Sequence, residues 1–170
     1  MPMRTKEVLR ILDALDAAEV GFSVAGGWGV AALTKRRTRR HHDLDLVILD
    51  FEQGEPRACS AVAQLGYHPI DRSRDAGIWT PLRTVLIDDA GHRLEFLGIA
   101  DNLFVAGYRQ LAAVSGPATD TGLSDLASGT IGRRTVACLS AEIQVLFHTG
   151  YQLRSSDRRD VARLRRRGLA

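Results

Sequence analysis

Apolar residues recur at helical spacing near the start of the chain, at Val8, Ile11, Leu12, Leu15 and Ala18. Positions three and four apart share one helix face, so residues 5–19 are predicted helical, with Thr5 able to cap the start and Gly21 past the end. Phe22 to Ala25 reads as a short strand that Gly26-Gly-Trp-Gly29 breaks, and Val30 to about Arg36 as a short helix. Leu44 to Leu49 is a strand, apolar at nearly every position except Asp45. A helix is predicted over 55–65, with Pro56 near its first turn and Gly66 just past its end. Tyr67 to Ile70 is extended, and 78–87 with 92–99 form a hairpin across Asp88-Asp89-Ala90-Gly91. The pattern is weakest over 100–133, where a short helix at 107–114 precedes a loop from Ser115 to Gly122. Thr135 to Leu139 is a strand. Ser140 can cap a helix over 141–151, striped by Ile143, Leu146, Phe147 and Tyr151, and Asp157 can cap a last helix ending in Arg165-Arg-Arg167. The order predicts an α/β (α+β) fold: a mixed sheet flanked by helices, with a helical C-terminal part. One domain is expected, divided into a core (1–100), a variable substrate region (101–139) and C-terminal helices (140–170).

Length and composition agree with that. A chain of 170 residues with 45% hydrophobic and 25% charged content can bury its own core, and is not disordered, collagen-like or coiled-coil. No uncharged apolar run reaches about 18 residues and the first residues lack an apolar signal region, so neither a membrane nor export is expected, and the cytoplasm is the default. Cys59 and Cys138 alone form neither a disulfide framework nor a zinc site.

Charge changes the picture more. The net charge of +3 hides two basic blocks. Lys35, Arg36, Arg37, Arg39 and Arg40 form one, and positions 154–167 hold seven Arg and two Asp; the remaining chain has 11 basic and 18 acidic residues. Arg outnumbers Lys 21 to 2. Arginine binds phosphate in bidentate fashion, so a phosphate-bearing partner is indicated, although a GC-rich genome produces the same bias.

The chemistry concentrates in Gly26-Gly-Trp-Gly29 and Asp43-Leu-Asp45. Strand residues at i and i+2 share a face roughly 6.5 Å apart. Two carboxylates there repel unless a cation lies between them, and Mg²⁺ takes one or two carboxylates plus substrate phosphates. Two solvated acids on an edge strand are the plain alternative. A strand–Gly-Gly–helix junction offers free backbone N–H groups and close approach to phosphate, though it also serves as an ordinary tight turn. Glycine donors and paired carboxylates together suit nucleotidyl transfer, which needs positioning and charge neutralisation. Glu95, in Arg93-Leu-Glu-Phe-Leu97, is the best candidate for a third acid. It would complete the metal site or take the proton from an attacking hydroxyl; otherwise it is an outward strand Glu.

Gly26-Gly-Trp-Gly-Val-Ala-Ala-Leu33 followed by Thr38-Arg-Arg-His-His-Asp-Leu-Asp-Leu46 resembles the lincosamide and aminoglycoside adenylyltransferases of the polymerase-β-like nucleotidyltransferase superfamily. Thr130-Ile-Gly132, Cys138-Leu-Ser-Ala-Glu-Ile-Gln-Val-Leu-Phe-His-Thr-Gly-Tyr151 and Asp157-Arg-Arg-Asp-Val161 resemble the C-terminal helices of the lincosamide type. The resemblance implies a nucleotidyltransferase fold that moves AMP from ATP to a hydroxyl of a small antibiotic-like molecule. It implies that Asp43, Asp45 and Glu95 are catalytic and bind Mg²⁺, with Glu95 as general base. Gly26, Gly27, Trp28, Arg39 and His41 would bind the nucleotide, His41 equally well as a hydrogen-bonded loop histidine. His148 and Tyr151 would pack and orient the C-terminal helix. A homodimer with the drug cleft between subunits fits relatives of this size.

The sequence departs from the family at Ala31, where relatives carry Asp, at Glu95, where they carry Asp, and at Leu97-Gly98, where they often carry His-Pro. An added methylene at Glu95 moves its carboxylate by about 1.5 Å, and misplacement of 1 Å can cost on the order of 100-fold in rate. Three other readings share some of these features: a toxin–antitoxin-type nucleotidyltransferase acting on protein or RNA, a degenerate nucleotide-binding relative, and a nucleic-acid binder using the Arg blocks. Low aromatic content and the absence of a stacking motif disfavour nucleic acid. The first basic block would border the triphosphate site, and the second would be mostly a solvated helix.

Overall fold

The structure is a computed structural model that describes residues 2–36, 39–73, 82–98, 126–146, 148 and 152–169. Its helices are α1 (Thr5–Ala17), α2 (Gly26–Leu33), α3 (Phe51–Ala63), α4 (Ala141–Leu146) and α5 (Ser155–Arg166). Its strands are β1 (Phe22–Ala25), β2 (Asp43–Ile48), β3 (His68–Ser73), β4 (Leu82–Ile87), β5 (Arg93–Gly98), β6 (Leu126–Ile131) and β7 (Arg134–Leu139). They form one mixed sheet in the order β3-β4-β5-β2-β1-β7-β6. β2 runs parallel to β5 and β1 parallel to β7, while the other neighbours are antiparallel.

Strand alternation gives the two faces of the sheet different jobs. Leu44, Leu46 and Ile48 of β2 and Leu94 and Phe96 of β5 enter the main core, packed with Val8, Ile11, Leu12 and Leu15 of α1 and Ala58 and Val62 of α3. On the other face, Ala25, Val47, Leu97 and Leu139 form a smaller core under Ile143 of α4. Asp43 and Asp45 alternate onto this second face together with Val47, and Glu95 with Leu97.

Helix α1 ends in a Schellman turn: Glu19 N–H bonds to Asp16 C=O at 2.9 Å and Val20 N–H to Leu15 C=O at 3.0 Å. Glu19, not Gly21, takes the left-handed conformation there, at φ 54°. The expected cap Thr5 is the first helical residue instead. Helix α2 starts at Gly26, so the glycines form its first turn and do not precede it. Trp28, Val30, Ala31 and Ala32 are all buried, as suits a helix enclosed on every side. Helix α3 starts at Phe51, earlier than expected, and Pro56 lies inside it.

Within the region 101–139, the described part, 126–139, is a β6–β7 hairpin at one edge of the sheet, with Val24 of β1 opposite Cys138 of β7. The helix expected at 107–114, the loop from 115 to 122 and Tyr151 lie outside the described residues. No helix among the described residues is long and apolar enough to cross a membrane.

Candidate active site

Register decides which side chains meet. Ala25 of β1 stands opposite Asp45 of β2, and Asp45 opposite Glu95 of β5; two residues back along both strands, Asp43 faces Arg93. The row Ala25, Asp45, Glu95 crosses three strands on one face and ends against the Gly26 turn. Gly26 has φ +56°, and a Cβ there would come within 2.0 Å of Asp45 Oδ2. Only glycine both adopts that conformation readily and leaves the carboxylate its place. A Cβ on Gly27 would stand 2.3 Å from His41 Nδ1 and 2.6 Å from an Arg39 guanidinium nitrogen.

These residues open onto a cleft of about 890 Å³. One wall is Gly26, Gly27, Asp43, Asp45 and Glu95, and the other comes from His148, Gln152, Arg154, Ser156 and Asp157. Arg39, His42, Arg83 and Arg93 complete the lining. The half-buried Asp45 carboxyl is pushed up to about 8, first by burial and then by the negative charges of Asp43 and Glu95; Arg93 and Arg39 oppose the shift. Such repulsion is what a bound cation relieves, and the donor set of hard carboxylate oxygens suits Mg²⁺.

Glu95 does not extend that set to three in this arrangement. Its Oε1 lies 3.5 Å from an Arg83 nitrogen and its Oε2 3.4 Å from Arg93 Nη2. Among the described residues, no three His, Cys, Asp or Glu side chains form a group able to hold a metal ion. The carboxylates that fit a cation are therefore Asp43 and Asp45, and Glu95 stands beside them between two guanidinium groups. Arg83 also pairs with Asp71 at 2.6 Å, which fixes it from the opposite side.

Two expected nucleotide-binding residues lie beneath the cleft and do not line it. Trp28 and His41 are each 2% exposed, with ring centroids 5.1 Å apart and planes tilted by 45°. His41 underlies Gly27, and its carbonyl accepts from Met3 N–H at 2.8 Å. The pair supports the glycine turn from behind. His148 shows the opposite departure: it lines the cleft as well as packing beside α5. Burial lowers its pKa against the pull of Asp157 and Asp160, which favours the neutral ring.

Arg39 lines the cleft, held by Asp160 of α5 at 2.6 Å. The second basic block is thus more than a solvated helix, since Leu164 and Asp160 are buried and Arg163 donates to Arg36 C=O at 2.7 Å. Asp157 accepts from Arg154 N–H at 3.0 Å and closes the first turn of α5 from inside the helix. The sequence reading missed Arg83, Arg93, Arg154 and Asp160 as members of the site. Arg93 had a signal, two residues before Glu95 on the same strand face. Arg83 had none, because only the β4–β5 register, with Val85 opposite Glu95, makes it a diagonal neighbour.

The aminoglycoside-2''-adenylyltransferase family model matches residues 7–164. A lincosamide resistance protein of Staphylococcus haemolyticus is 31% identical over 162 residues, spanning 94% of this chain and 93% of that protein. Among solved structures, the fold is similar to lincomycin-bound LnuA, a lincosamide antibiotic adenylyltransferase, with a TM-score of 0.73, 24% identity, and 97% and 98% of the two chains covered. It is also similar to the solution structure of the antibiotic-resistance factor ANT(2'')-Ia, with a TM-score of 0.66, 17% identity, and 94% and 80% covered.

Proposed function

The chain belongs to the aminoglycoside-2''-adenylyltransferase family of nucleotidyltransferases, and we propose that it transfers AMP from ATP to a hydroxyl of a small antibiotic, releasing pyrophosphate. The observation that carries this reading is the row across β1, β2 and β5, which sets the Asp45 carboxylate against a glycine turn at the start of a helix, with Glu95 beside it. The kinship with a lincosamide resistance protein makes a lincosamide the first acceptor to test and an aminoglycoside the second.

Each residue then has a task. Backbone N–H groups at the start of α2 and the Arg39 guanidinium bind triphosphate oxygens. Asp43 and Asp45 would hold Mg²⁺, which when bound neutralises charge on the phosphates. The acceptor oxygen forms a bond to the α-phosphorus, the bond from that phosphorus to pyrophosphate breaks, and the proton passes to a Glu95 carboxylate oxygen. Arg83 and Arg93 orient that carboxylate. His148, Gln152 and Arg154 on the opposite wall are the side chains placed to meet the acceptor.

The test uses purified protein, ATP and Mg²⁺ with lincomycin and a panel of aminoglycosides, read by mass spectrometry. A gain of one AMP on an acceptor is expected, lost in Asp45→Ala. No adduct on any acceptor, or an adduct that persists in Asp45→Ala, would overturn the reading.

A further inference from the structure

Helix α5 grips the first basic block at two points. Arg39 directs Nε and Nη2 to one oxygen, Asp160 Oδ2, at 3.1 and 2.6 Å. One turn further along the helix, Arg163 holds Arg36 C=O. The Asp160 side chain is only 5% exposed. A carboxylate so buried is costly without a partner, and Arg39 supplies one across 121 residues of sequence. The same guanidinium lies against Gly27, so it is held between Asp160 on one side and the glycine turn on the other.

We propose that Asp160 is a positioning residue that holds Arg39 against the Gly26–Gly27 turn so that its remaining N–H groups face the phosphates of the nucleotide. This rests on the AMP-transfer reading above. The guanidinium has five N–H donors; the two bonds to Asp160 use two and leave three. An unheld arginine samples many rotamers and loses that freedom on binding, whereas a held one is already ordered. Asp160 also keeps Arg39 from swinging onto the neighbouring carboxylates of Asp43 and Asp45, where it would compete with a cation. A pair that served stability alone would gain nothing from having Arg39 line the cleft, and apolar residues of similar volume would serve as well.

The test compares Asp160→Asn, Asp160→Glu, Arg39→Ala and the Asp160→Asn/Arg39→Ala double variant. Each is measured for ATP Kd by direct titration with Mg²⁺, KM for ATP, KM for the acceptor, kcat and Tm. Asp160→Asn should raise the ATP Kd and KM about tenfold, with acceptor KM within about threefold of wild type. The double variant should bind ATP no more weakly than Arg39→Ala alone, because both changes act through one guanidinium. Asp160→Glu keeps the charge but pushes Arg39 outward, and its ATP KM should fall between those of wild type and Asp160→Asn. An ATP affinity in Asp160→Asn within about twofold of wild type, with only Tm lowered, overturns the proposal, as does full additivity in the double variant. If Asp160→Asn does not fold, an unchanged ATP KM in Asp160→Glu overturns it equally. These failures leave AMP transfer standing; that reading fails if no acceptor gains AMP or if the adduct persists in Asp45→Ala.

Discussion

Replacing Gly26 with alanine tests the geometry at its tightest point. The new Cβ would stand 2.0 Å from Asp45 Oδ2, where ordinary contact begins at 3.4 Å. The β1–β2 register fixes the backbone on both sides, so the carboxylate must withdraw by about 1 Å or more. A displacement of that size in reacting machinery costs on the order of 100-fold in rate, or about 2.7 kcal/mol of transition-state stabilisation. The left-handed backbone adds about 1–2 kcal/mol of strain to the folded state. Gly66→Ala separates the two effects. Gly66 has φ +90° with nothing within 4 Å of its Cβ direction, so it carries the strain without the clash. Thermal unfolding should show both variants destabilised, while kcat/KM for AMP transfer falls about 100-fold in Gly26→Ala only. A Gly26→Ala enzyme within about threefold of wild type, or a Gly66→Ala enzyme equally impaired, would refute the placement of Asp45 as a working carboxylate.

Three further predictions concern charge and packing. The folded pKa of Asp45 is raised from 3.8 to about 8, so the unfolded chain ionises first. Its effect on stability is absent below about pH 4 and turns unfavourable as pH rises toward 8. With chelator present, Asp45→Asn should therefore melt higher than wild type at pH 8, with the gap closing toward pH 4; a gap that does not change with pH would contradict this. Glu95→Gln should lower kcat by about 100-fold while Glu95→Asp retains measurable transfer, and a fully active Gln variant would remove Glu95 as proton acceptor. Thr84 Oγ1 donates to the buried Glu55 Oε1 at 2.6 Å, with Cys59 Sγ donating to the same oxygen at 3.3 Å. Thr84→Val should cost about 1–3 kcal/mol in denaturant unfolding and leave kcat/KM unchanged; an unchanged midpoint would show that the bond contributes nothing.

Much of the fold was legible because burial wrote it into the spacing of apolar residues. Val8, Ile11, Leu12 and Leu15 mark α1, and Leu44, Leu46, Val47 and Ile48 mark β2, since each is buried on the side its period predicts. The strands missed or read short lacked such a signal for physical reasons. β3 is an exposed edge, so His68-Pro-Ile-Asp-Arg-Ser73 has no buried face to reveal it beyond the extended start at Tyr67 to Ile70. β6 carries Gly129 where a Cβ would come within 2.7 Å of the Ala32 Cβ, so its glycine seats α2 at the expense of strand pattern. The start of α2 was misread because glycine is a poor helix former, yet here the close approach of Asp45 and Arg39 demands it.

The sequence by itself determined which chemistry is available: two carboxylates two residues apart on an apolar strand, a pair of glycines where a strand gives way to a helix, and an acid on a later strand. Strand alternation alone places Asp43 and Asp45 on one face, because the period of two is local. Everything that depends on who stands beside whom was decided only in three dimensions. The parallel pairing of β2 with β5 sets Glu95 beside Asp45, and the fold of α5 sets Asp160 against Arg39. Trp28 and His41 share the chain segments of the site yet lie beneath its floor. Residues 121 positions apart leave no periodic trace of one another, and their contact is a property of packing alone.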